Sequence, residues 1–407
     1  MSPAHAFLPR RHYPLIDMIY FDAGGGHRAS ATALQAVAEQ QRRPWHIRLI
    51  NLRDLLEPAD FIRRLTGVRS EDVYNAMLKY DLTAGVTPML PLMRLLIRRT
   101  HGRNVTLLAR HWMEPRPTLV VSLIPHFNRT IFEGLRMADA RCDGSATPMV
   151  TIMTDLADCP PHFWIEAQEQ FLICATAVAA RQALAIGLDS QHVVRTSGMI
   201  VRPEFYSRRQ ICRAHERRRL GLNLELPTGL VMFGGYGSRQ MLTIARRVAE
   251  SRQPIQLIFI CGHNQYLRQQ LTTMELPFGC HVEGFTQDVP YFMQLADFFV
   301  GKPGPGAISE ALVSGLPLII ARNTSTMVQE RYNVEWIVQN QLGLAIRGFS
   351  EIGKAVASII DEEQSRRFRS HVAMLSNRAV FEIPEILDEI MAMPRTCLAQ
   401  PAVHGVA

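Results

Sequence analysis

The sequence predicts an α/β protein made of two doubly wound domains, each built on a parallel sheet. Short apolar runs alternate with helical patterns along the chain; the alternation stops at a segment punctuated by Gly and Pro, 198–205, and then restarts. Strands that are apolar throughout are typical of parallel sheets covered by helices on both faces. A length of 407 residues suits two domains better than one core, with a single large doubly wound domain as the alternative.

The first half opens with a strand, a glycine turn and a helix. An apolar run at 15–21 leads to three glycines at 24–26, and a helical stretch of small residues follows at 29–40. This succession is the first unit of a doubly wound sheet. Apolar composition predicts further buried strands of this half at 47–51, 118–124, 149–154, 171–175 and 193–196.

The second half repeats the pattern. A strand with its glycine turn is predicted at 230–235 and a helix at 241–251, with further strands at 255–261, 282–285, 297–300 and 316–320. Two similar Rossmann-like halves, 1–200 and 201–371, joined by a linker near residue 200 and facing a cleft, are the GT-B architecture. The remainder, 372–407, is expected to hold a final helix over 372–390, packed back on the first domain, and a loose tail.

Charge and cysteine content narrow the functional classes. Lys and Arg number 44 against 37 Asp and Glu, so the net charge of +7 favours an acidic partner. Neither an aromatic-interleaved basic sheet nor a recognition motif supports nucleic acid as that partner. Seven widely spaced cysteines indicate reduced thiols in a cytosolic protein. Cys159 and His162 have a ligand-like spacing without a second pair, so no metal site is expected.

An arginine-rich segment, about 61–112, interrupts the regular alternation. The sequence has no secretory signal pattern and no run of ~18 apolar residues, so we expect any membrane contact to be peripheral. Within the segment, Arg94, Arg98 and Arg99 lie among leucines, the first two on one helical face. Such a helix can lie in the headgroup plane of an anionic membrane. A surface helix packed on its own domain is an equal alternative.

Two glycine loops carry the candidate chemistry. In the first, Gly25 and Gly26 allow a ligand to approach the backbone at the start of a helix, where N–H groups are free. His27 follows them at the expected mouth of the cleft. Its ordinary pKa near 6.5 suits a general base, and a capping or loop histidine is the alternative.

The second loop, 301–312, again joins a strand to a helix. The helix start around Gly304 and Gly306 suits a pyrophosphate, and Lys302 adds positive charge. Glu310 lies one turn into the helix, where it could hold a ribose through its hydroxyls. An acid favoured by the helix dipole is the alternative explanation.

These motifs, taken together and in order, resemble the monogalactosyldiacylglycerol synthases and processive diacylglycerol glycosyltransferases, in the wider group of glycosyltransferase family 28 that includes MurG. The resemblance extends from about residue 16 to about 345. It rests on GGGHRASA (24–31), TDL (154–156), GMIVRPEF (198–205), FGG (233–235), ICG (260–262), GF (284–285), KPGPGAISEAL (302–312), QE (329–330) and NV (333–334).

The resemblance implies a C-terminal half that binds UDP-galactose or UDP-glucose. Phe285 would contact uracil, Gly304 to Gly306 the pyrophosphate, and Glu310 the ribose. Gln329 and Glu330 would contact the sugar hydroxyls. The full set of donor residues implied is Gly234, Gly235, Phe285, Lys302, Gly304, Gly306, Glu310, Gln329, Glu330 and Asn333.

For the N-terminal half, the resemblance implies a site for diacylglycerol on the cytoplasmic face of a membrane. His27 would deprotonate the acceptor hydroxyl, and attack on the anomeric carbon would invert it. Gly25, Gly26 and Asp155 would belong to the acceptor side, and Arg94, Arg98 and Arg99 would hold anionic lipid. No cofactor or metal is expected, since an Asp-x-Asp motif is missing from the sequence.

Alternative readings are a MurG-like transferase to another lipid-linked acceptor, a UDP-sugar epimerase, and a membrane-binding protein that has lost activity. Two departures from the family's sequence pattern are relevant to these alternatives. The loop after Phe233 reads GGYGSR, where relatives have a further glycine. After Asp155 the order CPPHFW (159–164) is shifted from the usual Cys-His-Pro-Thr-Trp run, so the acceptor is less firmly implied than the donor class.

Overall fold

The computed structural model describes residues 13–22, 25–56, 86–142, 144–207, 209–324 and 326–394. Within these ranges the side chains of residues 86–94 and 96 are not included. Four sequence predictions therefore lie outside the described residues: Gly24, the arginines of the segment 57–85, the side chain of Arg94 and the tail after residue 394.

Six parallel strands form the first sheet, in the order β2-β1-β3-β4-β5-β6. β3, β4 and β5 are four-residue strands that are buried throughout, as their apolar composition predicts. The strands are β1 (Leu15–Tyr20), β2 (His46–Asn51), β3 (Leu119–Ser122), β4 (Met149–Ile152), β5 (Phe171–Cys174) and β6 (Val193–Arg195).

A second parallel sheet follows in the order β12-β11-β10-β7-β8-β9. Its strands are β7 (Thr228–Met232), β8 (Gln256–Ile260), β9 (Cys280–Glu283), β10 (Phe298–Gly301), β11 (Leu318–Ala321) and β12 (Gly343–Ile346). β12 was not predicted, because it is a short edge strand whose middle residues are partly exposed. The two sheets confirm the predicted pair of doubly wound layers.

Helices cover both sheets. Around the first sheet they are α1 (Gly26–Gln40), α2 (Leu52–Leu56), α3 (Val86–Met113), α4 (Asn128–Arg141) and α5 (Ala177–Ala185). Around the second they are α6 (Arg213–Arg219), α7 (Gln240–Ser251), α8 (Gln265–Thr272), α9 (Val289–Leu295), α10 (Pro305–Val313), α11 (Arg331–Gln339), α12 (Ile352–Ile360) and α13 (Glu362–Met374). None of the helices in the described ranges is long and apolar enough to cross a membrane.

Several strands end before the apolar run that predicted them. The run at 118–124 yields only β3, and the run at 149–154 yields only β4. The residues beyond each strand, Leu123, Ile124 and Met153, are buried but belong to loops at the carboxyl edge of the sheet. Burial in these loops, rather than strand pairing, explains their apolar character.

The single helix predicted over 372–390 is wrong, because residues 375–378 are not helical. α13 ends at Met374, and a separate helix, α14 (Ala379–Ala392), begins after four intervening residues. The chain passes between the two halves twice, once near residue 200 and again at 375–378. Hydrogen bonds join these two crossings. There, the Asn377 side-chain amide donates to the Met199 carbonyl at 2.9 Å, and the Arg378 N–H donates to the Ser197 hydroxyl at 2.7 Å.

α14 packs on the first sheet although it follows the second sheet along the chain. Its buried residues Val380, Ile383 and Leu387 belong to one core with Leu34 of α1 and Ile16 of β1. Polar contacts reinforce this packing, since the Trp45 indole donates to Asp388 at 2.9 Å and Arg43 pairs with the same carboxylate. The core against the first sheet is therefore completed by α14.

Each sheet has one point where the chain order reverses. In the first sheet it lies between β1 and β3, and in the second between β7 and β10. Loops at the carboxyl ends of the strands diverge at such a point and leave a crevice that commonly binds ligand. The two predicted glycine loops follow β1 and β10, so both lie at these reversals.

Candidate active site

His27 lies in the first turn of α1, directly after β1. Gly25 caps this helix with a left-handed φ of 79°, which a residue with a side chain adopts only under strain. The His27 Nδ1 lies 3.2 Å from the hydroxyl of Thr154, two residues beyond the end of β4. Burial lowers the pKa of His27 to about 4, and a hydrogen bond to the Leu123 backbone only partly opposes this effect. The imidazole is therefore neutral at pH 7.

Asp155 follows Thr154 and is buried with 7% of its surface exposed. It accepts a hydrogen bond of 2.8 Å from the indole of Trp164, whose ring centroid lies 5.9 Å from that of His27. Burial raises the Asp155 pKa to about 7; the Trp164 hydrogen bond lowers it, and the charges of Glu330 and Asp158 raise it. A carboxyl group close to half-ionised at neutral pH thus stands beside the histidine.

Asp158 shapes the loop that brings Trp164 to this place. Its buried carboxylate accepts backbone N–H groups from His162 at 2.9 Å, Phe163 at 2.9 Å and Trp164 at 2.6 Å. The Asn128 amide holds the far side by donating to the Trp164 carbonyl at 2.8 Å. The altered order 159–164 therefore forms an ordered turn, and sequence reasoning missed Asp158 because only the fold shows what its carboxylate accepts.

The loop after β10 forms the opposite wall. α10 begins at Pro305 with Gly304 as its N-cap, so the N–H groups of Gly306 and Ala307 have no partner within the helix. Lys302 lies beside them with its Nζ 3.5 Å from Glu330 Oε1. A Cβ at Gly304 would stand 3.5 Å from that carboxylate, whereas Gly306 faces open space. The wall combines free N–H groups with a cation, which is the chemistry that binds a diphosphate.

Asn333 and Gln329 support the same wall. The buried Asn333 donates its side-chain amide to the Pro303 carbonyl at 2.8 Å and so fixes the loop that precedes α10. Gln329 lies in the short 3-10 turn Val328–Glu330, next to Glu330. Glu330 itself is buried, and its charge reaches Asp155 on the other wall.

Glu310 is engaged by a residue that sequence reasoning missed. Arg202, in the linker between the sheets, places its Nε 3.7 Å from Glu310 Oε1. Burial raises the Glu310 pKa to about 7, and the Arg202 charge opposes the rise. The motif 198–205 contained this arginine, but no spacing in the sequence related it to a glutamate about a hundred residues later.

Gly234 and Gly235 form the glycine turn after β7, and Gly234 has a left-handed φ of 78°. This turn is locked to the loop after β8, since the His263 N–H donates to the Gly235 carbonyl at 2.8 Å. A Cβ at Gly262 would come within 2.2 Å of that same oxygen. Phe285 follows β9 on the adjacent loop and is 54% exposed.

The two walls touch each other. The Cys159 thiol lies 3.4 Å from the Val328 carbonyl, so the turn shaped by Asp158 rests on the turn that carries Gln329 and Glu330. The structure thus brings His27 and Asp155 to one side of a cleft, the first wall. Lys302, Glu310 and Glu330 lie on the other side, the second wall. Among the described residues, no group of three or more His, Cys, Asp or Glu side chains could hold a metal ion.

The predicted membrane arginines lie outside this cluster. Arg98 and Arg99 are exposed on α3, and Leu95 beside them is 47% exposed. α3 packs on α4, where the His101 imidazole contacts the Thr130 hydroxyl at 3.1 Å and the Glu133 carboxylate at 2.7 Å. Arg98 and Arg99 therefore lie just N-terminal to the residue through which the helix contacts α4.

Comparison with known proteins agrees with this geometry. Residues 230–389 match the Glycosyltransferase family 28 C-terminal domain. Monogalactosyldiacylglycerol synthase 1 of Arabidopsis thaliana, a chloroplastic protein, is 27% identical over 387 residues, covering 91% of this chain and 70% of that protein. The Spinacia oleracea synthase, also chloroplastic, is 28% identical over 391 residues, covering 91% and 71%.

Solved structures share the fold. MurG of Acinetobacter baumannii is similar with a TM-score of 0.56 at 11% identity, covering 92% of this chain and 99% of MurG. S. aureus MnaA, solved with UDP, gives 0.55 at 14% identity, covering 94% and 99%. The resemblance predicted from the motifs is confirmed: the chain has the GT-B fold, its residues 230–389 match the family 28 C-terminal domain, and it is similar over most of its length to monogalactosyldiacylglycerol synthases.

Proposed function

We propose that the chain transfers galactose or glucose from a UDP-sugar to diacylglycerol at the cytoplasmic face of a membrane, with inversion of the anomeric carbon. The observation that carries this proposal is the cleft itself, which sets a neutral histidine opposite a helix N-terminus, a lysine and two carboxylates. Similarity over nine-tenths of the chain to proteins named for monogalactosyldiacylglycerol supports the acceptor.

The donor would bind the second wall. The diphosphate would accept hydrogen bonds from the Gly306 and Ala307 N–H groups and an ion pair from Lys302. Glu310 would take the ribose hydroxyls in exchange for its contact with Arg202. Gln329 and Glu330 would take the sugar hydroxyls, because their turn lies between the diphosphate loop and the first wall.

The reaction would then proceed in one displacement. The His27 imidazole, neutral at pH 7, accepts the proton of the acceptor hydroxyl as its oxygen attacks the anomeric carbon. The bond from that carbon to the UDP oxygen breaks, and the negative charge goes to the diphosphate. The helix N-terminus and Lys302 stabilise this charge as it develops.

The acceptor side would face a membrane through α3. Residues 86–98 are the N-terminal part of this 28-residue helix and precede His101, which contacts Thr130 in the first turn of α4. The exposed Arg98, Arg99 and Leu95 lie in this part, where guanidinium groups could meet lipid phosphates.

Thin-layer chromatography tests the reaction. Purified protein would be incubated with diacylglycerol in phosphatidylglycerol vesicles, with UDP-galactose and UDP-glucose offered separately. We expect a glycolipid with one donor or both, and a His27→Ala variant at least ~100-fold slower, the scale of general-base loss. His215→Ala, an exposed histidine on α6, is the matched control and should retain full activity.

Other reaction products would indicate a different function for the cleft. A glycolipid formed only on another lipid-linked acceptor would favour a MurG-like transferase. An epimerised donor or free sugar formed without lipid would favour an epimerase. Vesicle binding without consumption of any UDP-sugar would mean that activity has been lost.

Vesicle sedimentation tests the membrane contact. Replacing Arg94, Arg98 and Arg99 by glutamate should abolish binding to phosphatidylglycerol vesicles, because each charge reversal turns attraction into repulsion. The control is the same reversal at Arg246 and Arg252, which are exposed on and just after α7. Unchanged sedimentation of the triple variant would remove α3 from the membrane contact.

A further inference from the structure

Two aromatic rings stack in the open at the edge of the second sheet. The His263 and Phe285 ring centroids lie 3.9 Å apart, with an interplanar angle of only 16°. His263 is exposed, and Phe285 is the only largely exposed phenylalanine among the described residues. An apolar ring left in water at the carboxyl edge of a parallel sheet is a feature that a ligand can explain.

The pair stands on a rigid base. His263 belongs to the loop after β8 and Phe285 to the loop after β9, so the stack spans two neighbouring strand ends. The His263 N–H is bonded to the Gly235 carbonyl, and Gly262 holds a left-handed φ of 59° against the same oxygen. Tyr236 continues the aromatic edge, with its ring centroid 6.1 Å from that of His263. The imidazole is thereby fixed to the glycine turn after β7.

We propose that His263 is a positioning residue for the nucleobase: by stacking on Phe285 it holds that ring as a flat platform on which the uracil of the donor lies. This inference rests on the proposed function and adds a residue to it. At a centroid distance of 3.9 Å no base fits between the rings, so the base stacks on an outer face.

Stacking, rather than charge, is the role that the geometry favours. A nearly parallel contact at van der Waals distance is the arrangement of an offset aromatic pair, and bases stack on such surfaces because each has a π-face. Loss of a side chain on which a base stacks weakens binding by roughly 10- to 100-fold, and His263→Ala, which removes the ring that holds Phe285, should approach the lower end of this range.

Calorimetric titration with UDP tests this role with three variants. His263→Ala should bind UDP at least about 10-fold more weakly than wild type, and His263→Phe should stay within about 3-fold, because it restores the stacked ring. Tyr266→Ala is the matched control, since Tyr266 is 67% exposed on α8 and lies outside the stack. Its affinity should equal that of wild type.

The salt dependence of UDP affinity distinguishes a stacking contact from an ionic one. If His263 holds the base by stacking, the loss in His263→Ala should be the same at 50 and 500 mM NaCl, whereas a contact with the diphosphate would fade at high salt. An unaltered affinity in His263→Ala, a His263→Phe as weak as the alanine variant, or a loss that vanishes at high salt would each overturn the inference. Failure of the wild type itself to bind UDP would instead overturn the proposed function.

Discussion

Replacing Asp155 by asparagine tests the electrostatics of the first wall. Burial, with the charges of Glu330 and Asp158, raises the Asp155 pKa from its usual 3.8 to about 7. The folded protein therefore keeps a proton that the unfolded chain releases at lower pH. The stability linked to this proton is fully present below about pH 4 and is lost as the pH rises through about 7. Asparagine can still accept from Trp164, but it does not titrate.

The magnitude follows from the size of the shift. About three pH units at about 1.4 kcal/mol each give an upper value of about 4 kcal/mol for the change across this window. The full shift applies because Asp155 is almost entirely buried. Glu310 contributes in the same direction, since its pKa rises from 4.5 to about 7.

Urea unfolding between pH 5 and pH 8 measures this change. The free energy of unfolding should fall less steeply with pH in Asp155→Asn than in wild type. Glu310→Gln, which removes the other raised carboxyl group, should flatten the slope independently, and the double variant should be the shallowest. Identical slopes for wild type and Asp155→Asn would refute the claim that this carboxyl group is buried with a raised pKa.

Three further predictions concern the walls of the cleft. Asp158→Ala should destabilise the protein by about 3 kcal/mol, because it leaves buried backbone N–H groups without an acceptor, whereas Asp158→Asn should cost less; urea unfolding compares them. Gly262→Ala should lower the thermal midpoint and weaken UDP binding, because its Cβ would strike the Gly235 carbonyl; a normal midpoint would contradict the 2.2 Å approach. Arg202→Met should raise the Glu310 pKa further, because the opposing charge is gone, and so move the loss of the Glu310 contribution to higher pH in urea unfolding; an unchanged profile across pH would show that the two residues are not coupled.

The sequence was most informative where a single local pattern determined the structure. The glycine turn before His27 and the Gly-Pro turn before α10 each sit between an apolar strand and a helix, so their place at the carboxyl edge of a sheet followed directly. The parallel sheets followed in the same way from strands that are apolar on both faces. Strand β12 was not predicted, because its middle residues are partly exposed and it is not apolar on both faces.

Contacts between segments far apart along the chain could not be predicted from the sequence. Asp158 organises a turn through backbone N–H groups, which no side-chain pattern reveals. Arg202 meets Glu310 only because the linker passes the start of α10. The break between α13 and α14 was missed because residues 375–378 contain neither Gly nor Pro; it is fixed by contacts of Asn377 and Arg378 with the other crossing of the chain.

The return of α14 to the first sheet sets an order of assembly during synthesis. Val380, Ile383 and Leu387 complete a core whose other members, such as Ile16 and Leu34, leave the ribosome about 350 residues earlier. The second sheet has all its strands once residue 346 has been made, so it can fold while the first still lacks its covering helix. The half of the protein that begins first along the chain therefore lacks part of its core until α14 has been made, after every strand of the second sheet.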